Sequence, residues 1–215
     1  LVDMLRFFVE NEDAPLVRRL RDRLTMVFVP MLNPDGAERN IRENATGIDL
    51  NRDARRQATP EARALAALHA RFSPHFGFNL HDQSPRYFPD GRAVALSLLA
   101  PPHDRQRSDR DTFARAQQLA ALMRMAADSL VDGRVTRYDD TWNSQAFGDA
   151  MQSWGTATVL VETGHWEDDP DKESLRRANF ALLLLALDAI ATGSYSNADV
   201  REYETLPDNP PPGQR

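Results

Sequence analysis

The sequence predicts an α/β fold in which a mixed, mostly parallel sheet is flanked by helices on both faces. Two observations lead to this prediction. Short apolar runs of strand length alternate along the chain with longer segments whose apolar residues recur at helical spacing. Several of the apolar runs are nearly continuous, which is typical of strands buried on both faces of a sheet. With 215 residues, the chain is long enough to bury the core of one globular domain.

Local signals assign the elements in order. A helix is expected at the start, because Leu1, Leu5, Phe8 and Val9 share one helical face. Another begins at Thr59-Pro60-Glu61, where an N-cap residue precedes a proline at the first helical position. Further helices are expected at about 108–133 and 174–191. Strands are expected at 24–32, 76–81, 94–99 and 158–161. We expect one domain over residues 1–193, followed by a polar, Pro-rich tail or linker over 194–215.

Composition excludes some classes of function. A net charge of −6 argues against a general nucleic-acid binder, although 25 of the 26 basic residues are arginine. The chain has no cysteine, so a metal site would have to use histidine and carboxylate ligands. No apolar run reaches the roughly 18 residues that a membrane span needs. We therefore expect that these residues do not bind nucleic acid and do not span a membrane.

A loop rich in arginine and asparagine follows the first predicted strand. It opens with Asn33-Pro34-Asp35-Gly36, which has the composition of a turn, and it carries Arg39, Arg42 and Arg52 among several asparagines. Planar guanidiniums bind a carboxylate through two parallel hydrogen bonds, and an amide such as that of Asn51 can complete the site. The alternative is a solvated loop whose arginines pair with nearby acidic residues. From the residues alone, both interpretations stay open.

Polar side chains end two of the predicted strands. His81 closes the strand at 76–81, and Glu162 follows the apolar run 158–161. Because ligands collect beyond the carboxyl ends of strands in α/β sheets, both side chains are expected in one crevice. His81 is a candidate metal ligand, with Asp82 and Gln83 as candidate acceptors for its ring. Glu162 is a candidate general base, since a charge after four buried residues is costly unless it faces a polar cleft. The alternatives are a structural histidine and a carboxylate paired with an arginine.

Taken together, these motifs resemble the zinc metallocarboxypeptidases of the carboxypeptidase A-like group, in a bacterial-type member. The residues that carry the resemblance are Asn33-Pro34-Asp35-Gly36, Asn40-Ile41-Arg42, Gly47 to Arg52, Asn79-Leu80-His81-Asp82 and Val161-Glu162-Thr163-Gly164. The resemblance implies that Asn51 and Arg52 hold the substrate's terminal carboxylate and that Arg42 binds substrate and stabilises the oxyanion. It implies that His81 is one ligand of a single Zn²⁺ ion and that Glu162 is the catalytic base. The family also often carries a substrate-capping tyrosine, but spacing does not identify one among these residues.

One part of the family pattern is absent from the sequence. The family takes two further zinc ligands from an H-x-x-E motif, and no such motif occurs in these residues. We expect that motif upstream of Leu1, so that residues 1–193 form a partial catalytic domain, incomplete at its N-terminus. The resemblance implies a hydrolase that removes the C-terminal residue of peptides, with this chain an inactive fragment of it. The family resemblance is also compatible with a secreted or periplasmic location, although this chain shows no signal segment.

Two other functions fit the same residues. A zinc amidase or deacylase acting on N-acyl amino acids or cell-wall peptides would use the same loop, because any such substrate has a free carboxylate. A non-catalytic pseudoenzyme would keep the carboxylate site without the metal.

Overall fold

The computed structural model describes residues 1–106, 108 and 110–213, and it confirms the predicted α/β class. Four strands form one mixed sheet, and helices of four to twenty-one residues surround it. The strands are β1 (Phe76–Asp82), β2 (Leu96–Leu99), β3 (Val135–Arg137) and β4 (Ala157–Thr163). The helices are α1 (Val2–Glu10), α2 (Pro15–Arg23), α3 (Pro34–Arg39), α4 (Pro60–Phe72), α5 (Arg110–Leu130), α6 (Phe147–Ser153), α7 (Glu173–Thr192) and α8 (Arg201–Glu204).

The sheet has the strand order β1-β4-β2-β3. β1 pairs parallel with β4 and β2 pairs parallel with β3, while β2 and β4 are antiparallel. The sheet is therefore mixed and mostly parallel, as predicted. Within the described residues, no helix is both long and apolar enough to cross a bilayer.

The main core lies on one face of the sheet. Val159 and Val161 of β4 and Leu96 and Leu98 of β2 point to this face and pack with buried residues of α5 and α7. On the opposite face α6 covers part of the sheet, and an added Cβ on Gly148 would lie only 2.9 Å from Nδ2 of Asn79. Since side chains alternate along a strand, that second face also carries the odd-numbered residues of β1 and the even-numbered residues of β4. Helices thus lie on both faces, and the polar strand residues share the face with α6.

The predicted strand at 24–32 is wrong. None of these residues forms a strand, and Val27 and Met31 are 45% and 59% exposed. A strand needs a hydrogen-bonding neighbour, and among the described residues none pairs with this segment. An apolar run is therefore not sufficient evidence for a buried strand at this place in the chain.

The end of the chain packs on the sheet instead of extending from it as the expected tail. Tyr203 and Leu206 join the main core, and the Tyr203 hydroxyl accepts a hydrogen bond from the Ala100 amide at 3.0 Å. The Asn209 amide donates to the Arg137 carbonyl at 2.8 Å. Residues 207–213, which we call the C-terminal strap, therefore run beside the ends of the strands.

Candidate active site

The register of the sheet brings His81 and Glu162 side by side. β1 and β4 are parallel neighbours, and His81 is paired with Glu162 across them. Both side chains therefore leave the same face of the sheet, near the carboxyl ends of their strands. Ser97 of β2 is paired with Glu162 from the other side and is completely buried. The pairing places His81 and Glu162 on one face of the sheet, and their function in a common site stays a prediction.

Glu162 has a strongly perturbed carboxyl group. The residue is only 7% exposed. Burial raises the pKa of this carboxyl from 4.5 to about 7, the charge of Asp82 adds to the increase, and the guanidiniums of Arg86 and Arg42 oppose it. A carboxyl with a pKa near neutrality can both accept and release a proton at physiological pH.

His81 has the protonation state that a metal ligand needs. Burial lowers its pKa, and the positive charges of Arg42 and Arg52 lower it further, against the opposite effect of Asp49. The imidazole is therefore neutral at pH 7 and has a free lone pair on one ring nitrogen. The arginine-rich loop therefore contributes positive charge at His81.

The acceptors expected for the His81 ring have other partners. Asp82 lies on the opposite side of β1 because side chains alternate, and it forms an ion pair with Lys172. Gln83 donates to the Ser97 hydroxyl at 2.8 Å and accepts from Asn209 at 2.8 Å. The prediction that these two residues orient the imidazole is wrong.

The loop that carries Arg42 is held by its own side chains. Asn33 accepts from the Gly36 amide at 3.0 Å and caps α3, so the segment predicted as a turn begins a short helix. The Asn33 side chain also donates to the Arg42 carbonyl at 3.0 Å. Arg42 in turn pairs with Asp49 at 3.0 Å, and its side chain is 64% exposed. Arg42 is therefore fixed at its base and accessible at its guanidinium.

Asn51 and Arg52 lie on a short 3₁₀ turn, Leu50–Arg52. Oδ1 of Asn51 accepts from the Phe147 amide at the start of α6 at 2.9 Å, which joins the loop to the second face of the sheet. Arg52 donates to the Asn51 carbonyl at 2.7 Å and is exposed. Among the described residues no carboxylate lies within ion-pair distance of Arg52. This guanidinium is therefore available to an external anion.

Asp53 stabilises the end of the same loop. Its buried carboxylate accepts from the Ala58 amide at 3.0 Å and from the amide and hydroxyl of Thr59, both at 2.8 Å. Burial alone would raise the pKa of Asp53, but these hydrogen bonds lower it below the ordinary value. Thr59 then caps α4. Asp53 therefore has a structural role beside Arg52.

We expect Asp53→Ala to lower the free energy of unfolding by about 2–3 kcal/mol at pH 7, because the buried amide and hydroxyl of Thr59 and the partly buried amide of Ala58 lose a charged acceptor. A depressed pKa in the folded state means that this stabilisation is present above the unfolded pKa and is lost as pH falls through the folded value. The cost should therefore shrink below about pH 4. Urea denaturation at pH 7 and pH 3 measures it, with the exposed Asp22→Ala as control. Equal losses of stability at the two pH values would mean that the charge of the Asp53 carboxylate does not contribute to the stabilisation.

Two side chains that the sequence did not identify complete the site. The Arg86 guanidinium carbon lies 5.7 Å from the centre of the Tyr138 ring. Burial raises the pKa of the Tyr138 phenol, Glu162 adds to the increase, and Arg86 and Arg42 oppose it. The Tyr138 amide donates to the Leu98 carbonyl at 2.9 Å, next to Ser97, which is paired with Glu162. The sequence analysis left the identity of a capping tyrosine open, and it had no signal for Arg86, which lies in a loop after β1.

The described residues do not by themselves form a catalytic zinc site. Such a site uses three protein ligands and one open position. Among the residues that the structure describes, no group of three histidine, cysteine, aspartate or glutamate side chains is placed to hold a metal ion. His81 is the one predicted ligand at this place, with the carboxylate of Glu162 beside it. A complete ligand set would need groups from outside these residues.

Comparison with known proteins supports the interpretation of the loop. A family model described as zinc carboxypeptidase matches residues 1–79. The resemblance to zinc carboxypeptidases is confirmed. Carboxypeptidase 2 of Trichophyton tonsurans is 36% identical over 75 residues, which are 35% of this chain and 13% of that protein. Carboxypeptidase 2 of Trichophyton rubrum is 35% identical over 75 residues, again 35% of this chain and 13% of that protein. The probable carboxypeptidase 2 of Trichophyton verrucosum is 36% identical over 64 residues, 30% of this chain and 12% of that protein.

These matches have a defined extent. The family model covers the loop with Arg42, Asn51 and Arg52, and it ends at Asn79, two residues before His81. The aligned part is about an eighth of the length of the fungal relatives. The zinc carboxypeptidase resemblance therefore rests on the first 79 residues, which include Arg42, Asn51 and Arg52 but neither His81 nor Glu162.

Proposed function

We propose that this chain carries the carboxylate-binding loop and the catalytic base of a metallocarboxypeptidase, which removes the C-terminal residue of peptides. The observation that supports this most directly is the in-register pairing of His81 with Glu162, with the charges of Arg42 and Arg52 acting on the same crevice. A base, the unpaired guanidinium of Arg52 and the exposed guanidinium of Arg42 at the carboxyl end of a sheet suit a substrate that ends in a free carboxylate.

In this proposal the two arginines have separate tasks. Arg52 and the amide nitrogen of Asn51 bind the terminal carboxylate, because Arg52 has no ion-pair partner among the described residues and Oδ1 of Asn51 is already occupied by Phe147. Arg42 stabilises negative charge on the carbonyl oxygen of the bond that is cut. Glu162 takes the proton of the attacking water and returns it to the leaving amine. Tyr138, which lies near both charges, closes over the bound residue.

A zinc ion supplies a Lewis acid in enzymes of this kind. We propose His81 as one of its ligands, with the remaining ligands outside these 215 residues. On this basis the chain by itself binds zinc weakly and shows little or no peptidase activity. The pseudoenzyme alternative makes the same prediction for this chain. It differs in predicting that a longer form of the protein would also fail to bind zinc at this site.

Binding to the chain itself tests the carboxylate site. We expect N-acetyl-Ala-Ala to bind at least about tenfold more tightly than its C-terminal amide, since hydrogen bonds to a charged group contribute about 1.5–3 kcal/mol. Arg52→Gln and Arg42→Gln should each remove most of this preference. The exposed Arg56→Gln in the same loop is the matched control and should retain it. Isothermal titration calorimetry measures all four proteins.

Equal affinity for the acid and the amide would exclude a carboxypeptidase-type loop. If the acid is preferred but Arg52→Gln and Arg56→Gln behave alike, the preference comes from general positive charge and the assigned roles fail. A circular dichroism spectrum of each variant separates loss of binding from loss of fold.

A further inference from the structure

Arg86 is a half-buried cation without a carboxylate partner. Its Nε is buried and has no hydrogen-bond partner, and one terminal nitrogen donates to the Pro210 carbonyl. Among the residues that the structure describes, no carboxylate lies within ion-pair distance of this guanidinium. A partly desolvated charge without a counterion is costly, so Arg86 is a candidate for binding an anionic ligand.

The position of Arg86 is beside the reacting groups. Its guanidinium lies over the Tyr138 ring, with 5.7 Å from the guanidinium carbon to the ring centre. Its charge acts on both the Glu162 carboxyl and the Tyr138 phenol, together with that of Arg42. Arg86 and Arg42 therefore approach the same groups from two loops that lie far apart in the sequence.

The backbone on both sides of Arg86 is fixed by hydrogen bonds. Its carbonyl accepts from the Val94 amide at 2.8 Å, and the Pro85 carbonyl accepts from the Gly213 amide of the C-terminal strap at 3.2 Å. The strap also supplies Pro210, the acceptor for the guanidinium. Arg86 is thus held in place before any ligand arrives, which lowers the entropic cost of binding.

A closed ring of hydrogen bonds ties the strap to the strand ends. Gln83 donates to Ser97 at 2.8 Å, Ser97 and Thr136 share a hydrogen bond of 2.8 Å, Thr136 donates to Asn209 at 3.0 Å, and Asn209 donates back to Gln83 at 2.8 Å. Ser97 and Thr136 are completely buried. The loop with Arg86 and the strap are therefore coupled through the sheet next to Glu162.

We propose that Arg86 binds a second carboxylate of the substrate, so that the protein prefers peptides with an acidic side chain at one of the two residues flanking the bond that is cut. With one terminal nitrogen bound to Pro210 and Nε buried, the second terminal nitrogen remains to donate to a carboxylate, and the guanidinium keeps its positive charge. Arg52 binds the terminal carboxylate, and Arg86 binds the additional one. This inference rests on the proposed function, because it needs a peptide in the crevice.

Matched peptides that differ by one charge test the inference on the 215-residue chain. The ligands are N-acetyl-Ala-Glu and N-acetyl-Glu-Ala, each compared with the peptide that has glutamine in place of glutamate. We expect at least one glutamate peptide to bind about tenfold more tightly than its glutamine counterpart. Arg86→Gln should remove this ratio and keep the affinity for the glutamine peptide. Arg86→Lys should retain part of it, because it keeps the positive charge but lacks the planar guanidinium.

Two controls separate this inference from the proposed function. Arg52→Gln should weaken the binding of both peptides of each pair by the same factor and leave their affinity ratio unchanged. Arg56→Gln should change neither the affinities nor the ratio. Equal affinities within both pairs, or a ratio that survives in Arg86→Gln, would overturn the role of Arg86 while the terminal carboxylate site stands. If no peptide binds, the proposed function fails and the inference fails with it.

Discussion

Replacing Glu162 with Gln is expected to lower the turnover of the proposed metallocarboxypeptidase by about 10²–10⁴-fold, because the side chain would no longer take a proton from water. The substitution keeps the size of the residue and one carbonyl oxygen, so substrate binding should change little. The measurement is kcat and KM for a peptide with a free C-terminus, on a protein that contains this chain together with a complete set of zinc ligands. A variant that retains its turnover would exclude Glu162 as the base.

The same substitution should stabilise the chain at high pH. The pKa of Glu162 rises from 4.5 to about 7 on folding. Between these values the folded state binds more protons than the unfolded state, so stability falls as pH rises through this range and stays low above it. Glutamine does not ionise, and because the cleft gives the carboxyl some access to solvent, we expect a gain of only about 1–2 kcal/mol at pH 8 and little at pH 4.

Urea denaturation of the 215-residue chain at pH 4, 6 and 8 measures this gain, and the exposed Glu10→Gln in α1 is the matched control. A gain that is equal at all three pH values would mean that packing and not charge causes it. A loss of stability at pH 8 would mean that the ionised Glu162 has a favourable partner. Reduced turnover together with increased stability is the combination expected of a residue kept for catalysis at a cost to the fold.

Three of the strands could be predicted from apolar runs in the sequence. The runs at 76–81 and 158–161 lie in the sheet, as do residues 96–99 of the run at 94–99. The run at 24–32 has the same apolar character and forms no strand, because composition does not show whether a hydrogen-bonding neighbour is present. β3 was missed because three residues, Val135–Arg137, are too few for a periodic signal.

The end of the chain shows a different limit of sequence reasoning. Its prolines and charges are typical of a linker, yet Tyr203 and Leu206 are buried and Asn209 closes the ring of hydrogen bonds with Gln83. The few apolar side chains of this mostly polar segment give no periodicity. Their burial depends on the groove beside α5 and the strand ends, which only the assembled fold provides.

The residues of the candidate site could also be predicted only in part. His81 and Glu162 could be predicted to share a crevice, because each ends a strand, and parallel strands place their carboxyl ends at one edge. Arg86 and Tyr138 could not be predicted, because 51 intervening residues separate them and neither lies in a periodic element at the crevice. Their contact at 5.7 Å depends on how the loop after β1 meets the segment after β3.

Gly164→Ala is expected to have the largest effect on stability, with a cost of about 4 kcal/mol or more. An added Cβ would lie 2.1 Å from the carbonyl oxygen of Val94, which is backbone and cannot rotate away. The contact is fixed on both sides, because the Gly164 amide donates to the Ala95 carbonyl at 2.8 Å and the His165 amide donates to the Val94 carbonyl at 2.9 Å. To admit a methyl group, the chain would have to break these bonds beside a buried strand.

Gly91→Ala is the matched control, because it isolates the ordinary cost of replacing a glycine. Gly91 has a φ of +85° and no atom within 4 Å of an added Cβ, so only the left-handed backbone opposes alanine there, at about 1 kcal/mol. Thermal and urea unfolding of both variants give the comparison. Similar costs would mean that the segment after β4 moves freely. A much larger cost at Gly164 would mean that this glycine is needed for the close backbone approach that follows Glu162. The segment Val161-Glu162-Thr163-Gly164 would then be constrained by backbone packing as well as by the proposed role of Glu162.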